Sequence, residues 1–222
     1  MITYRVKPAS GPITIDADWT KPTWKSVEPL KITHFMGERP AHLPEAEARL
    51  LYDRDALYVA FRVADRYVRA VAKTHQEAVY RDSCVEFFFT PGEDLAAGYF
   101  NLEVNCGGTM LFHHQMVPRK ERMIVAPADL ERIQVAHSLP AIVEPEIPGP
   151  IAWTLEYRLP VELLDHYAAH TIKPAPGVRW RANFFKCADD SSHPHWLTWS
   201  PVHHPTPDFH RPADFGMLEF GG

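Results

Sequence analysis

Apolar and polar residues alternate in many short runs along this chain. Such alternation predicts β-strands, because successive side chains of a strand point to opposite faces. Clear runs cover residues 48–63, 99–105, 153–159 and 178–184. Twenty-one prolines and eleven glycines separate them, which disfavours long helices. The pattern therefore predicts an all-β chain, and 222 residues suit a single domain over residues 1–222.

The run over residues 80–91, YRDSCVEFFFTP, is the most informative of these strands. Its alternation places three apolar residues on one face, which we expect to be core: Val85, Phe87 and Phe89. The other face carries a lone carboxylate, Glu86, between apolar neighbours. A second run at 99–105 puts Asn101, Glu103 and Asn105 on one face, and if the two strands are neighbours these residues form one polar surface with Glu86.

The 80–91 run resembles the signature strand of family 9 carbohydrate-binding modules: an aromatic residue, Asp-Ser, Val-Glu-Phe-Phe and then Pro. Other stretches are similar to that family in the same order: 13–24 (ITIDADWTKPTW), 50–65 (LLYDRDALYVAFRVAD), 99–108 (YFNLEVNCGG) and 199–215, which ends in FHRPADF before Gly216. Together with the strand pattern, this resemblance predicts a jelly-roll or immunoglobulin-like β-sandwich. We expect two antiparallel sheets and one or two short helices.

The resemblance implies non-catalytic binding of a mono- or disaccharide, or of a glycan chain end, between two aromatic side chains. The motifs assign these to Tyr80 and Phe209, which stand where the family has Trp. Glu86 matches a family carboxylate that accepts hydrogen bonds from sugar hydroxyls. His210 lies beside Phe209 and can hydrogen-bond a sugar as well.

Glu103 departs from the resemblance, which implies a basic residue at this position. Its acceptor oxygens still suit sugar hydroxyls, so it remains a candidate binding residue. Donors would then have to come from Arg181, Asn183 or Lys186, and we include Asn183 in the predicted site.

Two other functions stay open. Glu86 and Glu103 could form the carboxylate pair of a glycoside hydrolase, or the chain could be an accessory domain of one, and the carboxylate separation would decide the stereochemistry. Alternatively, Tyr and Phe in place of Trp suggest a scaffold or interaction domain that has lost the sugar site.

Composition narrows the partners. A net charge of -5 without a basic stripe argues against a nucleic-acid partner. The sequence contains no run of about 18 apolar residues, so it predicts no membrane-spanning helix. The first residues alternate like a strand rather than a secretory signal, so we expect a cytoplasmic protein, or an extracellular or periplasmic one whose leader was removed. The sequence does not set the oligomeric state.

Metal ligands and cysteines give weaker signals. Asp53 and Asp55 fit either turn chemistry or a structural calcium site, which some members of the resembled family have. Five histidines could approach one another as a zinc-like cluster: His193, His195, His203, His204 and His210.

The chain has an odd number of cysteines, Cys84, Cys106 and Cys187. This predicts reduced, buried thiols, although one pair could be close enough to oxidise.

Two segments without periodicity complete the prediction. Residues 115–129 are predicted to form a mobile loop. Residues 201–214, with three histidines before Arg211 and four prolines, form a long loop that is a functional candidate because loops of this length are uncommon in compact domains.

Overall fold

The computed structural model describes all residues, 1–222. Its sixteen strands are β1 Thr3–Pro8, β2 Leu30–Ile32, β3 His34–Phe35, β4 Glu45–Tyr52, β5 Ala56–Asp65, β6 Val68–Ala70, β7 Cys84–Thr90, β8 Tyr99–Asn105, β9 Met110–Val117, β10 Glu121–Ile124, β11 Gln134–His137, β12 Val143–Ile147, β13 Ile151–Pro160, β14 Arg179–Cys187, β15 Trp196–Thr198 and β16 Gly216–Phe220. Three short helices accompany them: α1 Pro22–Lys25, α2 Pro127–Leu130 and α3 Val161–Leu164. None is long and apolar enough to cross a membrane.

The strands form the predicted β-sandwich. One sheet has the order β10, β9, β8, β7, β14, β16, and the other has the order β4, β5, β13, β11. Neighbours within each sheet are antiparallel. Strand β1 connects the two sheets, because it pairs in parallel first with β16 and then with β4. The expected fold is confirmed, with β1 as the parallel exception.

The core lies between the two sheets. Forty buried residues form one cluster there, including Phe87 and Phe89 from the predicted inner face of β7. Phe87 stacks on Phe184 of β14, with ring centroids 4.6 Å apart, and Phe184 contacts Phe61 of the opposite sheet at 6.1 Å. Burying these large rings provides much of the driving force for folding.

The outer face of β7 is buried as well, which the alternation did not predict. Cys84, Glu86 and Phe88 are each at most 2 % exposed. The segment 201–215 lies over this face, and its Phe209 stacks on Phe185 with ring centroids 4.2 Å apart. This segment, which we call the closing segment, turns an exposed sheet face into the floor of a pocket.

The prediction of a mobile loop over residues 115–129 is wrong. Strand β9 continues to Val117, and β10 returns beside it as a hairpin, followed by helix α2. Arg119 at the tip of the hairpin has φ 63°, a left-handed conformation that a non-glycine residue rarely adopts. The low periodicity of this segment reflects an edge strand whose residues are all exposed, Glu121–Ile124, and therefore need no alternation.

Candidate functional site

A pocket of about 260 Å³ opens where the closing segment, the β9–β10 hairpin and the outer face of the first sheet meet. Five of the six predicted site residues line it: Tyr80, Glu86, Glu103, Phe209 and His210. Asn101 and His113 from β8 and β9 complete the floor. Residues that are more than a hundred positions apart in sequence therefore meet in one concave surface.

Three aromatic side chains on the pocket walls, Tyr80, Trp196 and Phe209, contribute to its apolar lining together with Phe88. Tyr80 follows β6 on a 3-10 turn and is 37 % exposed. Phe209 is 8 % exposed, because one ring face stacks on Phe185. Trp196, at the start of β15, is half-buried and donates its indole N–H to Asp189 Oδ1 at 2.8 Å. Trp196 is not among the predicted site residues, because it lies in a strand pattern that is typical of core residues.

Two carboxyl groups meet on the pocket floor. Glu86 of β7 and Glu103 of β8 are direct cross-strand partners, so their side chains leave the same face of the sheet side by side. Burial raises the pKa of Glu86 well above its usual range, with further contributions from Cys187 and Glu103. Burial also raises the pKa of Glu103 to about 7. The protein therefore holds two carboxyl groups that resist ionisation at the bottom of a cavity.

A chain of hydrogen bonds orients Glu103. The backbone N–H of Arg119 donates to Gln115 Oε1, the Gln115 amide donates to Asn101 Oδ1 at 2.8 Å, and the Asn101 amide donates to Glu103 Oε1 at 2.9 Å. Glu103 Oε2 is buried without a hydrogen-bond partner. An unpartnered buried acceptor is costly, which is consistent with a carboxyl group that prefers to keep its proton.

His210 is held in one tautomer. The Tyr99 hydroxyl is 2.7 Å from Nδ1, and the Gln115 side-chain amide is 3.3 Å from the same nitrogen. Because the amide nitrogen can only donate, Nδ1 is the acceptor and the proton lies on Nε2. Burial, followed by the positive charge of Arg119, lowers the pKa of His210 to about 4. The ring is therefore neutral at physiological pH and keeps one N–H to donate.

The basic groups of the site come from the β9–β10 hairpin. Arg119 and Arg122 both line the pocket, and Arg119 Nη2 lies 2.7 Å from Asp208 Oδ1 of the closing segment. This ion pair links two walls of the pocket. Both arginines fall in the segment that the sequence predicts to be a loop, and the loop prediction does not place them at the site.

The three donors proposed from sequence lie elsewhere. Asn183 is fully buried on β14, where its side chain donates to the Ser200 carbonyl and accepts from the backbone N–H groups of Phe184 and Ser200. It fixes the start of the closing segment and does not line the pocket. Arg181 donates to the carbonyl of Phe215, and Lys186 points into the core toward Asp65.

The sequence-based metal hypotheses do not match the contacts. Asp53 accepts hydrogen bonds from the backbone of Asp55 and Ala56 and from the Tyr58 hydroxyl, so its carboxylate closes the turn. The five histidines do not form a group of three potential ligands with their ligand atoms within 4.8 Å of one another. Of the residues 1–222, the one group of three potential ligands with all ligand atoms within 4.8 Å of one another is Cys84, Glu86 and Cys187. All three cysteines are free and buried, as predicted.

Comparisons with known proteins agree with the resemblance. A family model described as carbohydrate-binding family 9 matches residues 22–220. The structure is similar to that of a "putative carbohydrate-binding protein" from Bacteroides uniformis, with a TM-score of 0.87, 28 % identity and 98 % of each chain covered. Among the curated proteins, none matches significantly.

Two further structures are of a family 9 module from Caldicellulosiruptor kristjanssonii. The complex with glucose has a TM-score of 0.63, and the alignment covers 99 % of this chain and 96 % of that one. The complex with cellotriose has a TM-score of 0.64 and coverage of 99 % and 94 %. Identity is 18 % in both cases, so these likenesses support the fold. Because the family model spans most of the sequence, this chain belongs to carbohydrate-binding family 9.

Proposed function

We propose that the pocket between the closing segment and the β9–β10 hairpin binds a mono- or disaccharide, or the end of a glycan chain, without altering it. The observation that carries this proposal is the coexistence of aromatic and hydroxyl-binding groups in one cavity. Tyr80, Trp196 and Phe209 supply the first kind, and Glu86, Glu103 and His210 supply the second. The 40-residue core shared by both sheets supports a single binding domain over residues 1–222.

The physical chemistry of sugars requires both kinds of group. The axial hydrogens of a pyranose make its ring faces apolar, so an aromatic side chain can desolvate them, whereas the hydroxyl rim needs fixed donors and acceptors. Phe209 is pre-positioned by its stack on Phe185, and Trp196 by its bond to Asp189. Rigid aromatic groups lose little entropy on binding, which favours recognition of a small ligand.

The donors missing from the predicted site are present on the hairpin. Arg119 and Arg122 line the pocket with guanidinium groups, and His210 contributes its Nε2–H. The acid at position 103 therefore does not leave the pocket without donors. In place of a basic side chain, Glu103 offers a carboxyl group that can accept a hydrogen bond from a sugar hydroxyl, or donate one when it is protonated.

Size and affinity are consistent with one or two sugar rings. The cavity of about 260 Å³ is at the small end of the ~300–1,000 Å³ usual for ligand pockets. At ~0.3 kcal/mol per heavy atom, a disaccharide of roughly two dozen atoms would gain ~7 kcal/mol, which corresponds to a dissociation constant of ~10 µM.

Hydrolysis is the competing function, and the raised pKa values of Glu86 and Glu103 are the observation in its favour. The arrangement argues against it. A glycosidase places its two carboxyl groups on either side of the scissile bond. Here both groups rise from neighbouring strands of one sheet, so they approach a ligand from the same side.

The test is isothermal titration of the full chain with glucose, xylose, cellobiose and cellotriose, with and without calcium, alongside reducing-sugar release from the matching polymers. We expect saturable binding without turnover, and a loss of affinity of about 1 kcal/mol or more in Tyr80→Ala. The matched control is Phe35→Ala, because Phe35 is 39 % exposed but lies outside the pocket. Release of reducing sugar would favour hydrolysis. The absence of both binding and sugar release would favour a scaffold domain.

A further inference from the structure

Beneath the aromatic walls, the floor of the pocket contains two thiols beside Glu86. Cys84 of β7 and Cys187 of β14 are direct cross-strand partners. The Cys187 thiol lies 3.1 Å from Glu86 Oε1 and donates to it. The ligand atoms of Cys84, Glu86 and Cys187 all lie within 4.8 Å of one another, and the three residues are almost fully buried.

We propose that Cys84, Glu86 and Cys187 form a binding site for a single thiophilic divalent cation, Zn²⁺ being the natural candidate. Two thiolates and a carboxylate are ligands that zinc accepts, and three protein ligands leave the fourth tetrahedral position open. Glu86 and Cys187 line the pocket whereas Cys84 lies behind them. The open position therefore faces the cavity, where water or a ligand oxygen can occupy it.

The distances are compatible with one ion. With Zn–S near 2.3 Å and Zn–O near 2.0–2.2 Å, tetrahedral ligands lie ~3.3–3.8 Å apart. The Sγ–Oε1 distance of 3.1 Å in the metal-free protein is already close to this value, and the remaining separations of at most 4.8 Å need only small side-chain rotations. The paired strands β7 and β14 hold the three residues on a rigid sheet, which favours a preformed site.

Charge and proton balance define the reaction. Zinc binds thiolates and carboxylates, so each ligand loses the proton that it carries when the metal binds. Binding one Zn²⁺ thus releases two thiol protons and one carboxyl proton to solvent. The site then carries one net negative charge. The Lys186 ammonium, which donates to the Cys187 carbonyl at 2.9 Å, partly offsets this charge.

Two consequences follow from the proton release. Affinity should fall steeply as pH decreases, because protons compete with the metal for every ligand. Zinc should also compete with any ligand that uses the Glu86 carboxyl group. The metal site itself requires no sugar binding, so it stands or falls independently of the proposed function.

The test uses the full-length chain, reduced and stripped of metal, titrated with Co²⁺ under anaerobic conditions and followed by thiolate-to-cobalt charge-transfer absorption, with Zn²⁺ back-titration. We expect one Co²⁺ per chain, displaced by one Zn²⁺. Cys84→Ser and Cys187→Ser should each weaken binding by more than the roughly 10–100-fold caused by loss of an outer-shell partner. Glu86→Gln should weaken it while the charge-transfer band remains.

Cys106→Ser is the matched control, because Cys106 is also free and buried but is not part of the group. It should bind Co²⁺ as the wild type does, with circular dichroism verifying the fold of each variant. Two results would overturn the proposal: no stoichiometric charge-transfer band in the wild type, or equal loss in Cys106→Ser. Formation of a Cys84–Cys187 disulfide that excludes the metal even after reductant is added would do the same.

Discussion

Strand β14 separates two buried polar clusters that differ in one respect, the presence of a cation. On its inner face, Lys186 Nζ lies 3.3 Å from Asp65 Oδ2 and 2.7 Å from His195 Nε2. On its outer face, the next residue, Cys187, contacts Glu86, which neighbours Glu103 across the strands. Adjacent residues thus point into an ion-paired cluster and into a cluster of acids without a buried counter-charge.

The inner cluster is ion-paired. His42 Nε2 lies 2.7 Å from Asp65 Oδ1, and the Arg66 backbone N–H donates to the same oxygen. Burial would raise the pKa of Asp65, but the charge of Lys186 and its other partners lower it overall. Burial and the Lys186 charge lower the pKa of His195 to about 3, so His195 is a neutral acceptor. Asp65 and Lys186 thus form a buried ion pair, although Asp65 Oδ2 accepts no hydrogen bond, and the cluster links the two sheets.

The outer cluster is incomplete. Glu103 Oε2 has no hydrogen-bond partner, and Arg119, which lines the same pocket, is paired with Asp208. A protein gains no stability from such an arrangement. What it gains is a set of neutral donors and acceptors facing a cavity. The comparison indicates that a buried acid paired with a cation serves the fold, whereas buried acids without a paired cation at a pocket serve a ligand.

Removing the cation of the inner cluster should have the largest effect. Lys186→Met removes the buried cation from Asp65, which then keeps only its contacts with His42 and the Arg66 backbone, so we expect the free energy of unfolding in denaturant to fall by about 3–5 kcal/mol. Lys173→Met is the control, since its pair with Asp165 is exposed and should contribute less than ~1 kcal/mol. A small effect at Lys186 would mean that the inner cluster is not held together by its ion pair.

Removing an acid from the outer cluster should change the pH dependence of stability. The pKa of Glu103 rises from its ordinary 4.5 to about 7 on folding. The folded state therefore holds a proton that the unfolded state loses, and stability falls as pH rises between these values. Relative to Glu103→Gln, the wild type should lose about 3 kcal/mol over this window, at ~1.4 kcal/mol per pKa unit. If the unfolding free energies of the wild type and of Glu103→Gln changed in parallel between pH 4.5 and 7, the raised pKa of Glu103 would be contradicted.

The smallest effect should come from the ion pair at the pocket edge. Arg119 is 61 % and Asp208 23 % exposed at the side chain, so Asp208→Asn should cost less than ~1 kcal/mol in thermal or chemical unfolding. The positive charge of Arg119 already favours ionised Glu103. Loss of the negative charge of Asp208 should therefore lower the pKa of Glu103 slightly. A loss of several kcal/mol would show that the pair organises the pocket walls.

The sequence predicted the framework of the site better than its walls. Alternation identified both faces of β7 and the polar face of β8, because side-chain direction in a strand is a local property. The aromatic and acidic positions at 80, 86, 103, 209 and 210 all line the pocket. Their roles in binding remain predictions.

The errors have a common cause, which is tertiary contact. Asn183 looks like a binding residue in a strand pattern, yet its side-chain amide is hydrogen-bonded to the backbone of Ser200 and Phe184. Arg119 and Arg122 reach the pocket only because β10 folds back along β9. Nothing in the local pattern indicates that the closing segment covers β7. These features depend on which distant segments meet, and a single sequence does not encode that in a periodic signal.

The most direct test of the central claim is a titration of ¹⁵N-labelled protein with the sugar that binds in calorimetry, observed at the indole N–H signals of its six tryptophans. Trp196 is the tryptophan that lines the pocket, and its indole N–H is bonded to Asp189. We predict a saturable shift of the Trp196 signal, with the signals of the buried Trp24, Trp153 and Trp180 unchanged. Saturable sugar binding that leaves Trp196 unperturbed and shifts another tryptophan would place the site elsewhere and contradict the account.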